Sequence, residues 1–136
     1  MTRNKVLVRT DSSDLIGIGH FMRCLTLASA LMADGARVIF ACRHATDFAV
    51  ASLKKADIEL VRPEETDGQT DELCHSHWLG TSQVQDASET CSLVSEDHFD
   101  WVIIDHYALD FRWERHIKKR AKRVLVIDDL SDREHD

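Results

Sequence analysis

The chain has 136 residues, 43% of them hydrophobic and 30% charged, and a formal net charge of −7. That length suits one domain with its own core and is too short for two, and the composition is that of an ordinary globular protein. The acidic excess argues against a nucleic-acid partner, which wants basic patches, and no stretch approaches the roughly twenty apolar residues of a membrane span.

Met1 to Lys5 is basic, but only three apolar residues follow it, which is too short for the core of a signal peptide. Val6 to Arg9 reads as a short strand of a buried parallel sheet, and Asp11-Ser12-Ser13-Asp14 is turn chemistry. A loop with Gly17 and Gly19 leads into an apolar helix from about His20 to Ala33. Phe21, Leu25, Ala28 and Met32 recur there at helical spacing, and Asp34-Gly35 stops it. Arg37 to Cys42 is the second strand. Thr46 and Asp47 offer N-cap chemistry for a helix through about Lys55, and Ile58 to Val61 makes a third strand.

Glu64 to Ser82 is polar and without a clear period, so it reads as a long loop, and such loops are usually functional or mobile. A helix from Asp86 to Val94 or a little beyond follows. Trp101 to Ile104 is the fourth strand and ends in Asp105-His106-Tyr107. Asp110 caps a helix carrying Phe111, Trp113 and Ile117. The basic cluster Lys118-Lys119-Arg120 with Lys122-Arg123 falls at that helix's end, where it complements the dipole. Arg123 to Ile127 is the fifth strand and closes in Asp128-Asp129.

The alternation predicts an α/β fold: a parallel sheet of about five strands, right-handed crossovers and helices on both faces. Ligands of such sheets sit outside the carboxyl ends of the strands, near the point where strand order reverses. Three polar clusters land on that edge: Thr10-Asp11 with the loop to His20, Asp105-His106-Tyr107, and Asp128-Asp129.

Gly17-Ile18-Gly19-His20 is not a dinucleotide fingerprint, because the third glycine would fall at Met22 and the second strand ends in Ala41-Cys42-Arg43 without an acid. His20 at a helix N-terminus would be kept neutral by the dipole and so serve as a base; the alternative is a histidine that caps its own helix. Asp105-His106-Tyr107 offers an orienting carboxylate and a hydroxyl, or is simply a polar strand end. Asp11, Asp105 and Asp128 also resemble a phosphate-receiver pocket, although the fifth strand has no lysine at its end. Cys74-His75-Ser76-His77 crowds three soft ligands into one loop, against the spacing of a structural zinc site, and reads as solvated. Trp78, Trp101 and Trp113 read as core or loop anchors. The cysteines at 24, 42, 74 and 91 show no CxxC and read as reduced thiols of a cytoplasmic protein.

Three runs together resemble a known family. They are Arg9-Thr10-Asp11-Ser12-Ser13 with Ile16 to Leu25, Asp105 to Asp110 with Trp113-Glu114, and Val126 to Leu130 running into Asp132-Arg133. The chain is similar, nearly end to end, to the UDP-2,4-diacetamido-2,4,6-trideoxy-β-L-altropyranose hydrolases of pseudaminic acid biosynthesis. The resemblance implies a GT-B-like enzyme of two Rossmann-type domains that releases UDP by inverting hydrolysis at the anomeric carbon, with no metal and no cofactor. It maps the general base onto His20 and a tyrosine near the substrate onto Tyr107. Asp11, Gly17, Gly19, Arg23 and Asp105 lie in the same runs and are expected to line the substrate site. The family continues past Arg133 into a domain that grips UDP. This chain, residues 1–136, is therefore expected to be the N-terminal half, inactive or nearly so by itself, with an exposed domain face around His20 through which it could self-associate. A GT-B sugar transferase and a non-catalytic sugar-nucleotide binding module are the rival readings.

Overall fold

The structure is a computed structural model that describes residues 3–94 and 98–136. Five strands form one parallel sheet: β1 (Lys5–Thr10), β2 (Arg37–Ala41), β3 (Glu59–Val61), β4 (Phe99–Asp105) and β5 (Ala121–Val126), in the order β3-β2-β1-β4-β5. Four helices connect them: α1 (Gly19–Ala33), α2 (Asp47–Lys55), α3 (Gln83–Leu93) and α4 (Phe111–Ile117). This is a Rossmann-like α/β fold. Its order reverses between β1 and β4, which are neighbours in the sheet, whereas a phosphate receiver has the order 2-1-3-4-5. The receiver reading therefore fails on topology.

Because strand side chains alternate, β1 sends Val6 and Val8 to one face and Leu7 to the other. Val6 and Val8 join Phe21, Cys24 and Ala28 of α1 and Ala49 and Leu53 of α2 in one core. Leu7 joins Ala87 of α3 and Trp113 and Ile117 of α4 in the second. The same parity carries Arg9 and Asp11 to the α3–α4 side. On β4, Trp101 and Ile103 face α1, and Asp105 follows them there. No helix among the described residues is long and apolar enough to cross a membrane.

Several boundaries differ from the sequence reading, each for a local reason. α3 starts at Gln83, three residues before the expected Asp86, because the Ser82 hydroxyl accepts the Gln85 N–H and caps the helix. β5 starts at Ala121, directly after a 3-10 turn at Lys118–Arg120 that ends α4. Within that basic cluster Arg120 donates to the Val94 carbonyl at 2.8 Å and Lys118 pairs with Asp136 at 3.0 Å. The four cysteines are free; Cys24 and Cys42 are buried, and burial pushes both thiols above their ordinary value.

The segment from 64 to 82 contains a 3-10 turn at Ser76–Trp78 and is tied down by hydrogen bonds at several points. Gly68 N–H and the Thr66 hydroxyl both donate to the Gly80 carbonyl at 2.8 Å, and Gln83 N–H donates to Asp71 at 2.8 Å. Gly80 has φ +77°, and a Cβ there would overlap the Thr66 backbone oxygen. Gly80→Ala is therefore expected to destabilise the protein by about 1–3 kcal/mol, read as a lower urea midpoint; an unchanged midpoint would show that the loop is not anchored at this point.

Candidate functional site

The reversal of strand order brings the N-terminus of α1 against the end of β4. Ile18 is the N-cap of α1 and makes no side-chain cap, so His20 is not spent on capping its own helix. Instead its Nδ1 lies 2.7 Å from Oδ1 of Asp105, a carboxylate with no solvent exposure. Arg23, one turn on, closes on the same carboxylate: Nε reaches Oδ2, and Nη2 donates to Oδ1 at 2.7 Å. Burial by itself would raise the Asp105 pKa. Hydrogen bonds from Arg23 and His20 outweigh it and hold the group below the ordinary carboxylate value, so Asp105 is ionised at neutral pH.

An ionised Asp105 accepts a proton-bearing Nδ1, which leaves Nε2 of His20 as the nitrogen with a lone pair. Among the described residues no hydrogen bond engages Nε2. The Tyr107 ring stands edge-on to the imidazole at 4.4 Å. Its hydroxyl donates to Asp129 at 2.5 Å, which lifts the phenol above its ordinary pKa, and Arg23 Nη1 reaches the same carboxylate at 3.4 Å. His20, Asp105, Arg23, Asp129 and Tyr107 thus form a closed circuit across α1 and the ends of β4 and β5.

Asp11 is the departure. It lies at the end of β1 as expected, yet it is fully buried on the α3–α4 side. Arg9 donates to it at 2.6 Å, His106 Nε2 lies at 2.8 Å, and the Arg43 N–H donates at 2.8 Å. Burial would raise its pKa, but Arg9 and His106 hold it well below the carboxylate range. Its oxygens are occupied, so Asp11 braces the loop and presents nothing to a ligand. His106, between Asp105 and Tyr107, belongs to this inner network too: Ala108 N–H donates to its Nδ1 at 3.0 Å, which leaves Nε2–H to donate to Asp11.

Gly17 on the loop and Gly19 at the start of α1 are both exposed, and Gly17 has φ +83°. Gly17 lines an open depression of about 630 Å³ with Ile18, Met22 and Phe48. Ile18 and Met22 are four apart on α1, whereas His20 and Arg23 point toward β4, so this depression and the His20 circuit flank the helix N-terminus on opposite sides. Two further neighbours were not expected at this site. Trp78 stacks on Tyr107 at 5.7 Å and 25°, and His75 lies 5.4 Å from the same ring. Both come from the 64–82 segment; Cys74 and His77 stay exposed. Among the described residues no three His, Cys, Asp or Glu side chains are arranged to hold a metal ion.

No protein-family model matches the chain, and no curated protein does. Among solved structures it is similar to the glycosyltransferase of kitacinnamycin, at 20% identity and a TM-score of 0.61, over 90% of this chain and 30% of that one. It is also similar to the C-terminal domain of a hydrogenase from Pyrococcus furiosus, at 14% identity and a TM-score of 0.59, over 93% of this chain and 92% of that one. The chain thus spans about 30% of the glycosyltransferase's length. A glycosyltransferase and a hydrogenase domain share the architecture, so the likeness shows the fold, a Rossmann-like α/β sheet, and function resides in the site.

Proposed function

We propose that this chain is the base-carrying domain of a UDP-sugar hydrolase. The proposed reaction is inverting release of UDP from a 2,4-diacetamido-2,4,6-trideoxy sugar. The observation that supports this reading is the 2.7 Å contact between His20 Nδ1 and the buried Asp105, which leaves Nε2 as the proton acceptor. Nε2 takes a proton from water, and the water oxygen attacks the anomeric carbon from the face opposite UDP. The bond from that carbon to the phosphate oxygen breaks, and UDP departs with its electron pair. UDP is a stable anion and needs little protonation, so the second carboxylic acid of an ordinary inverting glycosidase is dispensable. Asp105 stabilises the imidazolium that forms, and Arg23 fixes Asp105.

In this reading Tyr107 borders the sugar beside His20, Gly17 and Gly19 shape the turn that presents His20, and a second domain supplies the contacts to the pyrophosphate. The 136-residue chain alone is then inactive or nearly so. The test is UDP release in ¹⁸O-water by the protein joined to its nucleotide-gripping domain. Label at the anomeric oxygen supports hydrolysis; release that requires an added sugar acceptor would replace it with transfer. Asp105→Asn is expected to lower kcat by roughly 10²–10⁴-fold, because an amide can donate to Nδ1 and so favour the tautomer with the proton on Nε2. An unchanged kcat in a folded Asp105→Asn protein would remove Asp105 from the mechanism.

A further inference from the structure

Beyond β5 the chain turns back over the start of α4. Phe111 N–H donates to the Glu134 carbonyl at 2.9 Å, and Arg133 Nε donates to the Leu109 carbonyl at 2.9 Å. Asp128 shapes the turn: its Oδ1 accepts the N–H groups of Leu130 at 3.0 Å and Ser131 at 3.1 Å, and Ser131 takes a positive φ of 54°. The returning segment is held by His135. Its Nδ1 lies 2.6 Å from Oε2 of Glu114, and its Nε2 lies 2.7 Å from Oδ2 of Asp128.

Two ring nitrogens that each face a carboxylate oxygen at these distances must both be donors, and only the imidazolium has two N–H groups. A neutral ring would leave a lone pair against a carboxylate. The Glu114 side chain is 1% exposed, and its other oxygen accepts the Asp136 N–H at 2.8 Å. The remaining charges nearby do not substitute for His135: Arg133 reaches Asp128 at 3.4 Å, while Arg115 and Lys118 pair with Asp136 at 3.6 and 3.0 Å. Burial would lower the His135 pKa, but the hydrogen bonds to Glu114 and Asp128 outweigh it and raise the value.

The clamped segment begins at the residue pair that completes the candidate site. Asp128 is bound by His135, and Asp129, the next residue, accepts from Tyr107 and Arg23. Arg133 lies over the Tyr107 ring at 5.5 Å. We propose that His135 is a positioning residue: its imidazolium, wedged between Glu114 and Asp128, sets the turn that holds Asp129 against Tyr107 and Arg23. The consequence for catalysis rests on the hydrolase reading; the structural claim does not.

The sign follows from linkage. A group whose pKa is higher folded than unfolded contributes fully below the ordinary imidazole value of 6.5 and loses its contribution as pH rises through its raised value. Tyr107 is the chain's single tyrosine, so its ring resonances report the site without ambiguity. The experiment is an NMR titration of the 136-residue chain, following the Tyr107 ring and the histidine ring nitrogens together. His135 should titrate above 6.5, and the Tyr107 signals should move with that midpoint. In His135→Gln this step should vanish, while the Tyr107 ring keeps its contacts with His20 and His75. Asp128→Asn should shift the midpoint down.

A His135 midpoint at or below 6.5 in the unaltered protein would overturn the proposal without any variant. So would a Tyr107 signal that ignores that midpoint, or one that follows it unchanged in His135→Gln. None of these readouts needs turnover, so failure of the hydrolase reading and failure of this one are separately visible.

Discussion

Replacing His20 with asparagine is expected to abolish UDP release while leaving the fold in place. In the two-domain protein kcat should fall by roughly 10²–10⁴-fold, the usual worth of a positioned general base. Asparagine can still donate to Asp105 through its amide, so the buried carboxylate keeps a partner and Arg23 keeps its own contacts. What disappears is the second ring nitrogen, the atom that would take the proton from water. Circular dichroism and the thermal midpoint should match those of the unaltered protein, and KM should change little. UDP release at the original rate by a folded His20→Asn protein would keep the hydrolase and discard its base.

The second large effect is one of stability. Asp86→Ala should cost about 3–5 kcal/mol, the usual penalty for breaking a buried ion pair by removing one partner. Asp86 is fully buried on α3 and accepts from Arg9 twice, at 2.8 and 3.0 Å, from Arg43 at 2.8 Å and from the Trp113 indole at 2.8 Å. Truncation leaves two guanidiniums facing each other across a cavity, Arg9 with Asp11 alone as its carboxylate partner. Against a total stability of about 5–15 kcal/mol, that is a large part of the whole. Urea unfolding should show a sharply lower midpoint, and a loss under 1 kcal/mol would mean that Arg9 and Arg43 find water or other acceptors. The pH dependence runs with it. Burial would raise the Asp86 pKa, but Arg9 lowers it, so its contribution is present above the ordinary carboxylate value and fades as pH falls through the depressed one.

The sheet was legible because its strands are short apolar runs punctuated by glycine, proline and aspartate, and because α1 carries a clean apolar stripe. His20 and Asp105 were legible as edge residues, since each follows directly from where a helix starts or a strand stops. Asp11 was read by the same rule with the opposite outcome. Alternation along Val6, Leu7, Val8, Arg9 places Arg9 and Asp11 on the α3–α4 side, and following that parity would have sent Asp11 inward. Arg9 was the available signal: a charged residue at the end of a buried strand requires a buried partner, and Asp86 supplies it from 77 positions away. Trp78, His75 and His135 left no such trace. They sit in polar segments without a period, and their contacts come from tertiary packing, where spacing along the chain carries no information.

The strand order also bears on how the protein folds. β1, α1 and β2 are contiguous in sequence and can form early with little loop-closure cost. Asp105 meets His20 across 85 residues, because the connection from β3 through α3 must pass back across the sheet before β4 can pair beside β1. His20 is thus placed by the first half of the chain and meets Asp105 only when the second half arrives. A fragment of residues 3–61 would carry His20 at the head of its helix with no carboxylate to orient it. The contact between His20 and Asp105 is long-range, so a chain in which β4 has not yet paired with β1 has no assembled site.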